Sequence, residues 1–357
     1  MSKFWSKTVR TLTPYKPGEQ IQAKNLIKLN TNESPYGPSP KALEAIRIAS
    51  DDALRLYPPP NSDHLKASLA QTYAVEPNQV FVGNGSDEVL AHIFLGLFKQ
   101  SDPILFPDIT YTFYPVYCSL YEIAYRKIPL NASFQIQIDD YLAYPSNGGI
   151  IFPNPNAPTG LATPLSEIKR LLDANNQSVV VIDEAYVDFG CESSVQLVNQ
   201  YPNLIVTHSF SKSRALAGLR VGYAIASAEL VEGLERVKNS FNSYPLGRLA
   251  QVGATAAVLD TEHLASTIKK IQNTREQLIL DLSHLGFNTL ASEANFVFTT
   301  HSSENAEVIY TELRKRNILI RYFDLPRINN YLRITVGTDD ECAKLIVALK
   351  EILATAI

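Results

Sequence analysis

Four short, largely apolar runs, each opening onto a cluster of polar residues, constrain this chain more than any other feature. Gln79–Val82 leads into Gly83-Asn84-Gly85-Ser86, and Ile150–Phe152 into Asn154-Pro155-Asn156-Ala157-Pro158-Thr159-Gly160. Val179–Ile182 runs into Asp183-Glu184-Ala185-Tyr186, and Leu204–Thr207 into Ser209-Phe210-Ser211-Lys212. Strands without polar alternation are buried on both faces, so helices must cover both sides of a mostly parallel sheet. Val89, Leu90, Ile93, Phe94 and Leu97 predict one such helix directly after the first run. In an open α/β sheet ligands bind beyond the carboxyl ends of the strands. All four polar clusters are therefore expected along one edge.

The rest of the chain frames this core. Ser39-Pro40 followed by Ala42, Leu43, Ile46 and Ala49 predicts a helix with a serine N-cap and proline in its first turn. Another is expected from Ser62, with Leu65, Leu69 and Tyr73 on one face. Asn32–Pro40 carries three prolines and a glycine and reads as loop. Past Tyr244-Pro245 the pattern changes to two long helical segments within Gly247–Gly286. Short strands near Phe296–Phe298, Ile318–Arg321 and Tyr331–Val336 follow. Thr338, with Glu341 three residues on, forms a capping box that opens a closing helix. The expected organisation is an N-terminal arm over 1–38, a large unit over 39–245 and a smaller α+β unit over 246–357. The arm can pack on either unit.

Composition narrows the function. Of 357 residues 45% are hydrophobic and 19% charged, too apolar a mixture for disorder. The 32 basic and 36 acidic residues leave a net charge of −4, without the positive surface that a nucleic acid or polybasic membrane contact requires. A small anionic ligand needs only a few placed cations and stays open. Cys118, Cys191 and Cys342 are too dispersed for a disulfide framework. Met1–Arg10 is basic but has no apolar stretch after it, and no run approaches the length of a membrane span. A soluble, cytoplasmic protein with no nucleic-acid or membrane partner is expected.

Several motifs have two readings. Val179–Glu184 could serve magnesium or cap a turn, but no Gly-Lys-Ser or Gly-Lys-Thr phosphate loop accompanies it. Gly83–Glu88 begins like a dinucleotide loop, yet Glu88 stands where the third glycine belongs. What remains is either a plain turn or a helix N-terminus whose amides suit a phosphate. The histidines form no zinc-binding pair and no G-x-S-x-G elbow occurs, so neither a metal site nor an α/β-hydrolase is expected.

Lys212 differs in kind. Flanked by serines and eight residues before Arg220, it suits an amine nucleophile beside an anion site. Asp183 supplies the carboxylate that a pyridinium nitrogen needs opposite it. Asp183-x-x-Tyr186, Ser209-x-Ser211-Lys212 and Ala217-Gly218-Leu219-Arg220 resemble the fold-type I pyridoxal-phosphate aminotransferases. Within them, Leu12–Tyr15, Leu29–Pro38, Gly83–Leu90 and Leu332–Gly337 are similar to the histidinol-phosphate aminotransferases. The resemblance runs from Leu12 to the closing helix.

It implies an α/β fold with a mostly parallel central sheet and pyridoxal 5'-phosphate joined to Lys212. Asp183 is implied to hold the ring nitrogen protonated, Tyr186 to bond the ring hydroxyl, and Tyr111 to stack on the ring. Gly85, Ser86, Asp87, Ser209 and Arg220 are implied at the cofactor phosphate, with Ser211 beside Lys212 and Tyr57 arriving from the second subunit of a homodimer. Arg333, assisted by Arg321 and Tyr15, is implied to bind the substrate anion. One position departs from the family pattern Asn-Pro-Asn-Asn-Pro-Thr-Gly: Ala157 replaces the asparagine near the ring hydroxyl, leaving Asn156 as the neighbouring candidate. The implied reaction passes an amino group between L-histidinol phosphate and 2-oxoglutarate, giving imidazole-acetol phosphate and L-glutamate. Guanidinium groups suit it because they bind phosphate and carboxylate with one planar fork. An aromatic amino-acid aminotransferase, an amino-acid-phosphate decarboxylase and a non-catalytic cofactor-binding module remain alternatives.

Overall fold

The computed structural model describes residues 2–15, 17–21 and 23–355. The outermost residues of the expected arm and closing unit, Met1 and 356–357, lie outside the described residues. Thirteen strands occur among them: β1 (Ile27–Lys28), β2 (Val80–Gly83), β3 (Ile104–Pro107), β4 (Tyr125–Ile128), β5 (Ile150–Pro153), β6 (Val180–Asp183) and β7 (Leu204–Ser209), then β8 (Gly222–Ala226), β9 (Phe287–Thr289), β10 (Phe296–His301), β11 (Ile318–Leu319), β12 (Arg321–Tyr322) and β13 (Leu332–Thr335). Seven of them form one sheet in the order β2-β8-β7-β6-β5-β3-β4. The four runs singled out in the sequence are β2, β5, β6 and β7. Neighbours from β7 through to β4 pair parallel, whereas β8 runs antiparallel to both β7 and β2.

Burial explains the apolar runs. Side chains alternate between two cores, with Val180, Ile182, Leu204 and Val206 in one and Val181 and Ile205 in the other. Helices Pro40–Ile48, Asp63–Tyr73 and Leu165–Ala174 cover the first face through Ala42, Leu65, Leu69, Ile168 and Leu171. Helices Ser86–Gly96, Tyr114–Tyr121 and Ala228–Phe241 cover the second through Val89, Ile93, Tyr114, Tyr117 and Leu234. Each such aliphatic side chain contributes roughly 1.5–3 kcal/mol when fully buried. Ser39 caps the first helix as expected, accepting from the Lys41 and Ala42 amides.

The reversed strand matters most for the site. A parallel strand needs a crossover connection, whereas the segment between β7 and β8 only turns back at the same sheet edge. Lys212 and Arg220 lie in that turn. Gly83 therefore pairs with Gly222, and the helix beginning at Ser86 starts against β8. A Cβ on Gly222 would strike the backbone of Gly85 and Ser86, so glycine is required for this close approach.

A second, antiparallel sheet has the order β12-β13-β10-β9, and β1 pairs separately with β11. The expected strand near Ile318–Arg321 is thus divided: β11 joins the arm, while β12 joins β13 and sets Arg321 opposite Arg333. Leu29 of the arm is buried with Leu278, Ile309, Leu313, Leu345 and Leu349, so the arm packs on this second core. Thr338 and Glu341 form the expected capping box, with reciprocal bonds of 2.8 and 3.2 Å. Helix Arg248–Leu259, assigned by the sequence to the smaller unit, instead buries Ala250, Ala254 and Ala257 in the large-sheet core. Its small residues allow close approach to Pro40–Ile48, so the expected break at 245/246 falls inside a packed interface. No helix among the described residues is long and apolar enough to cross a membrane.

Gly222→Ala is expected to lower stability by about 1–3 kcal/mol through overpacking. Thermal melts would register this, together with weaker retention of any anion at the Ser86 helix terminus.

Candidate active site

Residues following β5, β6 and β7 converge with the arm and the second sheet around a cavity of about 510 Å³. Asp183, Tyr186, Ser209, Ser211, Lys212 and Arg220 line it from the large sheet, and Arg321 and Arg333 from the smaller one. Ser86, Asp87 and Tyr111 form a further wall, and Tyr15 enters from the arm.

Asp183 ends β6 and is 5% exposed. Its carboxylate accepts from Tyr114 Oη at 3.1 Å and from Thr207 Oγ1 at 3.2 Å. Burial raises its pKa from 3.8 to about 6, against the lowering effect of the Tyr114, Thr207 and Ala185 hydrogen bonds. A carboxylate held at this cost is offset when a cation or a protonated ring nitrogen lies opposite it. Lys212 forms no salt bridge among the described residues. Its Nζ donates to the Thr31 carbonyl at 3.1 Å and lies 5.6 Å from the centre of the Tyr186 ring.

At another wall the helix Ser86–Gly96 begins without a side-chain cap, so its first amides are free to meet an anion. Gly85 has φ +85°, and a Cβ there would collide with the Arg220 guanidinium. Arg220 donates to Asp87 Oδ2 at 2.8 Å and to Ser211 Oγ at 3.4 Å. Asp87 also accepts from Tyr111 Oη at 2.9 Å, and its carbonyl accepts from Tyr117 Oη at 2.8 Å. Tyr111 stands edge-on to Tyr114 at 5.6 Å, which fixes its ring beside the Asp183 partner. Ser209 Oγ accepts from the Ser211 amide at 3.1 Å and shapes the turn before Lys212.

The wall from the second sheet is cationic. Arg333 donates one Nη to the Asn30 carbonyl at 2.9 Å, but its buried Nε has no partner among the described residues. Its guanidinium lies 5.4 Å from the Phe296 ring and 5.7 Å from Phe323. Burial lowers its pKa, and the neighbouring Arg321 charge acts in the same direction. Neither arginine forms a salt bridge among the described residues. Two unneutralised guanidiniums across one strand pair favour a bound anion. Tyr15 stacks on Phe113 at 4.8 Å and faces this wall of the cavity.

These features suit a pyridine ring carrying a phosphate: buried Asp183 for the nitrogen, Lys212 for a carbonyl carbon, and uncapped amides with Arg220 for the phosphate. Three candidates from the sequence do not line the cavity of this chain: Gly85, although it adjoins the Arg220 guanidinium, Asn156 and Tyr57. The Asn156 amide donates to the Ile109 carbonyl at 3.0 Å and to Thr159 Oγ1 at 3.2 Å, while its oxygen accepts from Thr110. Those bonds turn the side chain away, and Ala157 faces the cavity instead. Tyr57 is 80% exposed and stacks on Tyr244 at 4.7 Å, outside the cavity. Tyr114, Thr207 and Asn32 were not singled out. Thr207 as the one polar residue closing an apolar run, and Asn32 inside the Asn-Thr-Asn-Glu motif, were the available signals.

The folded-state value for Asp183 lies above that of a free carboxyl, so the cofactor-free protein binds this proton more tightly than the unfolded chain. The associated stability is full below about pH 4 and is lost as pH rises through about 6. Asp183→Asn is therefore expected to raise the melting temperature of cofactor-free protein, with the gain largest near about pH 8 and fading toward about pH 4. The gain at high pH is of order 2–3 kcal/mol, measured by parallel melts of both proteins.

Comparison with known proteins agrees with this chemistry. Residues 24–349 match the aminotransferase class I and II family. A histidinol-phosphate aminotransferase of Aromatoleum aromaticum is 58% identical over 99% of this chain and 100% of its own. Histidinol-phosphate aminotransferase 1 of Hydrogenovibrio crunogenus is 59% identical over 99% of both. The crystal structure of the Sinorhizobium meliloti histidinol-phosphate aminotransferase, in complex with pyridoxal 5'-phosphate, shares the fold. It has a TM-score of 0.89 at 24% identity and covers 100% of this chain and 99% of that one. The chain belongs to the class I and II aminotransferases and, within them, to the histidinol-phosphate aminotransferases.

Proposed function

We infer that the chain is a histidinol-phosphate transaminase (EC 2.6.1.9). It exchanges an amino group between L-histidinol phosphate and 2-oxoglutarate, giving imidazole-acetol phosphate and L-glutamate in L-histidine biosynthesis. The observation that carries the substrate class is the Arg333–Arg321 pair, opposite each other across β12 and β13 and without a salt-bridge partner among the described residues, lining the same cavity as Asp183 and Lys212.

Pyridoxal 5'-phosphate, when bound, supplies the electron sink that makes the hydrogen on the amine-bearing carbon acidic. The protein's residues do the rest. Asp183 would hold the ring nitrogen protonated, and Tyr186 would donate to the ring oxygen. The Ser86 and Asp87 amides, Ser209, Ser211 and Arg220 would hold the phosphate. Tyr111 covers one ring face. Lys212 would hold the cofactor through its Nζ, and the free amine would take and return the substrate proton as general base. Arg333, with Arg321 and Tyr15, orients a phosphate in one half-reaction and a carboxylate in the other. Phe323 and Phe296 beside Arg333 keep water from weakening that contact.

The proposed assembly is a homodimer in which Tyr57 reaches the partner's cofactor phosphate. In support, Leu54, Leu56, Tyr57 and Tyr244 form an exposed apolar face on one side of this chain. The proposed setting is the cytoplasm, in keeping with three cysteines that form no disulfide.

Paired kinetics test the substrate class. Histidinol phosphate is expected to give the higher kcat/KM, and a clear preference for phenylalanine would make the chain an aromatic aminotransferase. Release of carbon dioxide without a keto product from an amino-acid phosphate, which unlike histidinol phosphate carries a carboxyl group, would instead make it a decarboxylase. Arg333→Lys is expected to lower kcat/KM for histidinol phosphate about 100-fold, since a point charge cannot replace the fork.

A further inference from the structure

Asn30, Thr31 and Asn32 each meet a different functional side chain. The Asn30 carbonyl accepts from Arg333, the Thr31 carbonyl from Lys212, and Asn32 Nδ2 donates to Tyr186 Oη at 3.0 Å. Asn32 is 1% exposed and sits at φ +56°, in the left-handed region that asparagine tolerates. Its amide N–H donates to Thr335 Oγ1 at 3.0 Å, and that hydroxyl donates to Asn32 Oδ1 at 3.1 Å. Its carbonyl accepts from Asn295 Nδ2 at 3.0 Å. The side chain is thus oriented from behind, with one N–H aimed at the Tyr186 oxygen.

A phenol has one proton to give. By accepting from Asn32, Tyr186 keeps that proton for the cavity, and a hydroxyl that accepts a hydrogen bond is a stronger donor. No second side-chain amide assists from the opposite wall, because Asn156 is turned away and Ala157 has no donor. We propose that Asn32 is a positioning residue of the reaction: it holds the Tyr186 phenol so that its proton points at the oxygen on the cofactor ring. Thr335 ties this bond to the strand that carries Arg333. The proposal rests on the pyridoxal-phosphate reading given above.

The charged groups facing Tyr186 and Lys212 are Arg333 and Arg321 from the second sheet, Glu33 from the arm, and Asp183, Asp87 and Arg220 from the large sheet. None of them is altered by removing the Asn32 amide. A weaker Tyr186 donor leaves more negative charge on the ring oxygen, which holds a proton more firmly on the neighbouring nitrogen joined to Lys212.

The test is a pH titration of the cofactor absorbance band in the holoenzyme. Asn32→Gly keeps the left-handed backbone and is expected to raise the midpoint by about half a pH unit. Tyr186→Phe should raise it further, and adding Asn32→Gly to Tyr186→Phe should change nothing more. Thr335→Val, which leaves Asn32 present but unsupported, should produce a smaller shift in the same direction. A midpoint unmoved by Asn32→Gly but moved by Tyr186→Phe overturns the role of Asn32 and leaves the site reading intact. An equal Asn32→Gly shift in both backgrounds also overturns it, since the effect then bypasses the phenol. If neither variant moves the midpoint, the assignment of Tyr186 to the ring oxygen fails and the proposal fails with it.

Discussion

The buried carboxylate of Asp183 is the constraint around which the rest is arranged. Placing an acid at the end of a central strand, under two apolar cores, costs free energy unless its oxygens are bonded and a positive partner lies opposite. Thr207 on the adjoining strand and Tyr114 on the covering helix meet the first condition. A protonated ring nitrogen of the cofactor would meet the second. Tyr114 then fixes Tyr111, Tyr111 bonds Asp87, and Asp87 holds Arg220 at the start of the Ser86 helix. Asp183 and the start of the Ser86 helix are therefore connected through side chains that touch one another.

The same logic gives the arm its place. Rather than packing as an outer strap, the arm inserts β1 beside β11 and carries Asn30–Asn32 along the cavity wall. It contacts groups from both sheets at once: Lys212 and Tyr186 from the large one, Arg333 and Thr335 from the smaller. The carbonyls that meet Arg333 and Lys212 belong to adjacent residues, Asn30 and Thr31.

Much of this was legible in the sequence, where the physics is local. Wholly apolar runs identified β2, β5, β6 and β7, and the residues after them do share one edge. Caps at Ser39 and Thr338 marked helix starts because a short polar side chain bonds the free amides nearby. What was not legible is long-range. β4 exposes Tyr125, Arg126 and Lys127 at the sheet edge and so lacks the apolar signature. The reversal at β8 depends on a close pass between Gly222 and Gly85 that no spacing records. Helix Arg248–Leu259 packs in the large-sheet core through alanines that, as sequence, suit either core. Tyr114 is one of 18 tyrosines, and only the folded chain shows that its hydroxyl meets Asp183.

The central claim is that Asp183 keeps the cofactor ring nitrogen protonated. It is tested most directly by nitrogen NMR of enzyme reconstituted with pyridoxal phosphate isotopically labelled at that atom. A protonated-pyridinium signal is expected that persists to about pH 8, well above where the free ring loses its proton, and that disappears in Asp183→Asn. A signal of neutral pyridine in the unaltered enzyme at that pH would contradict it.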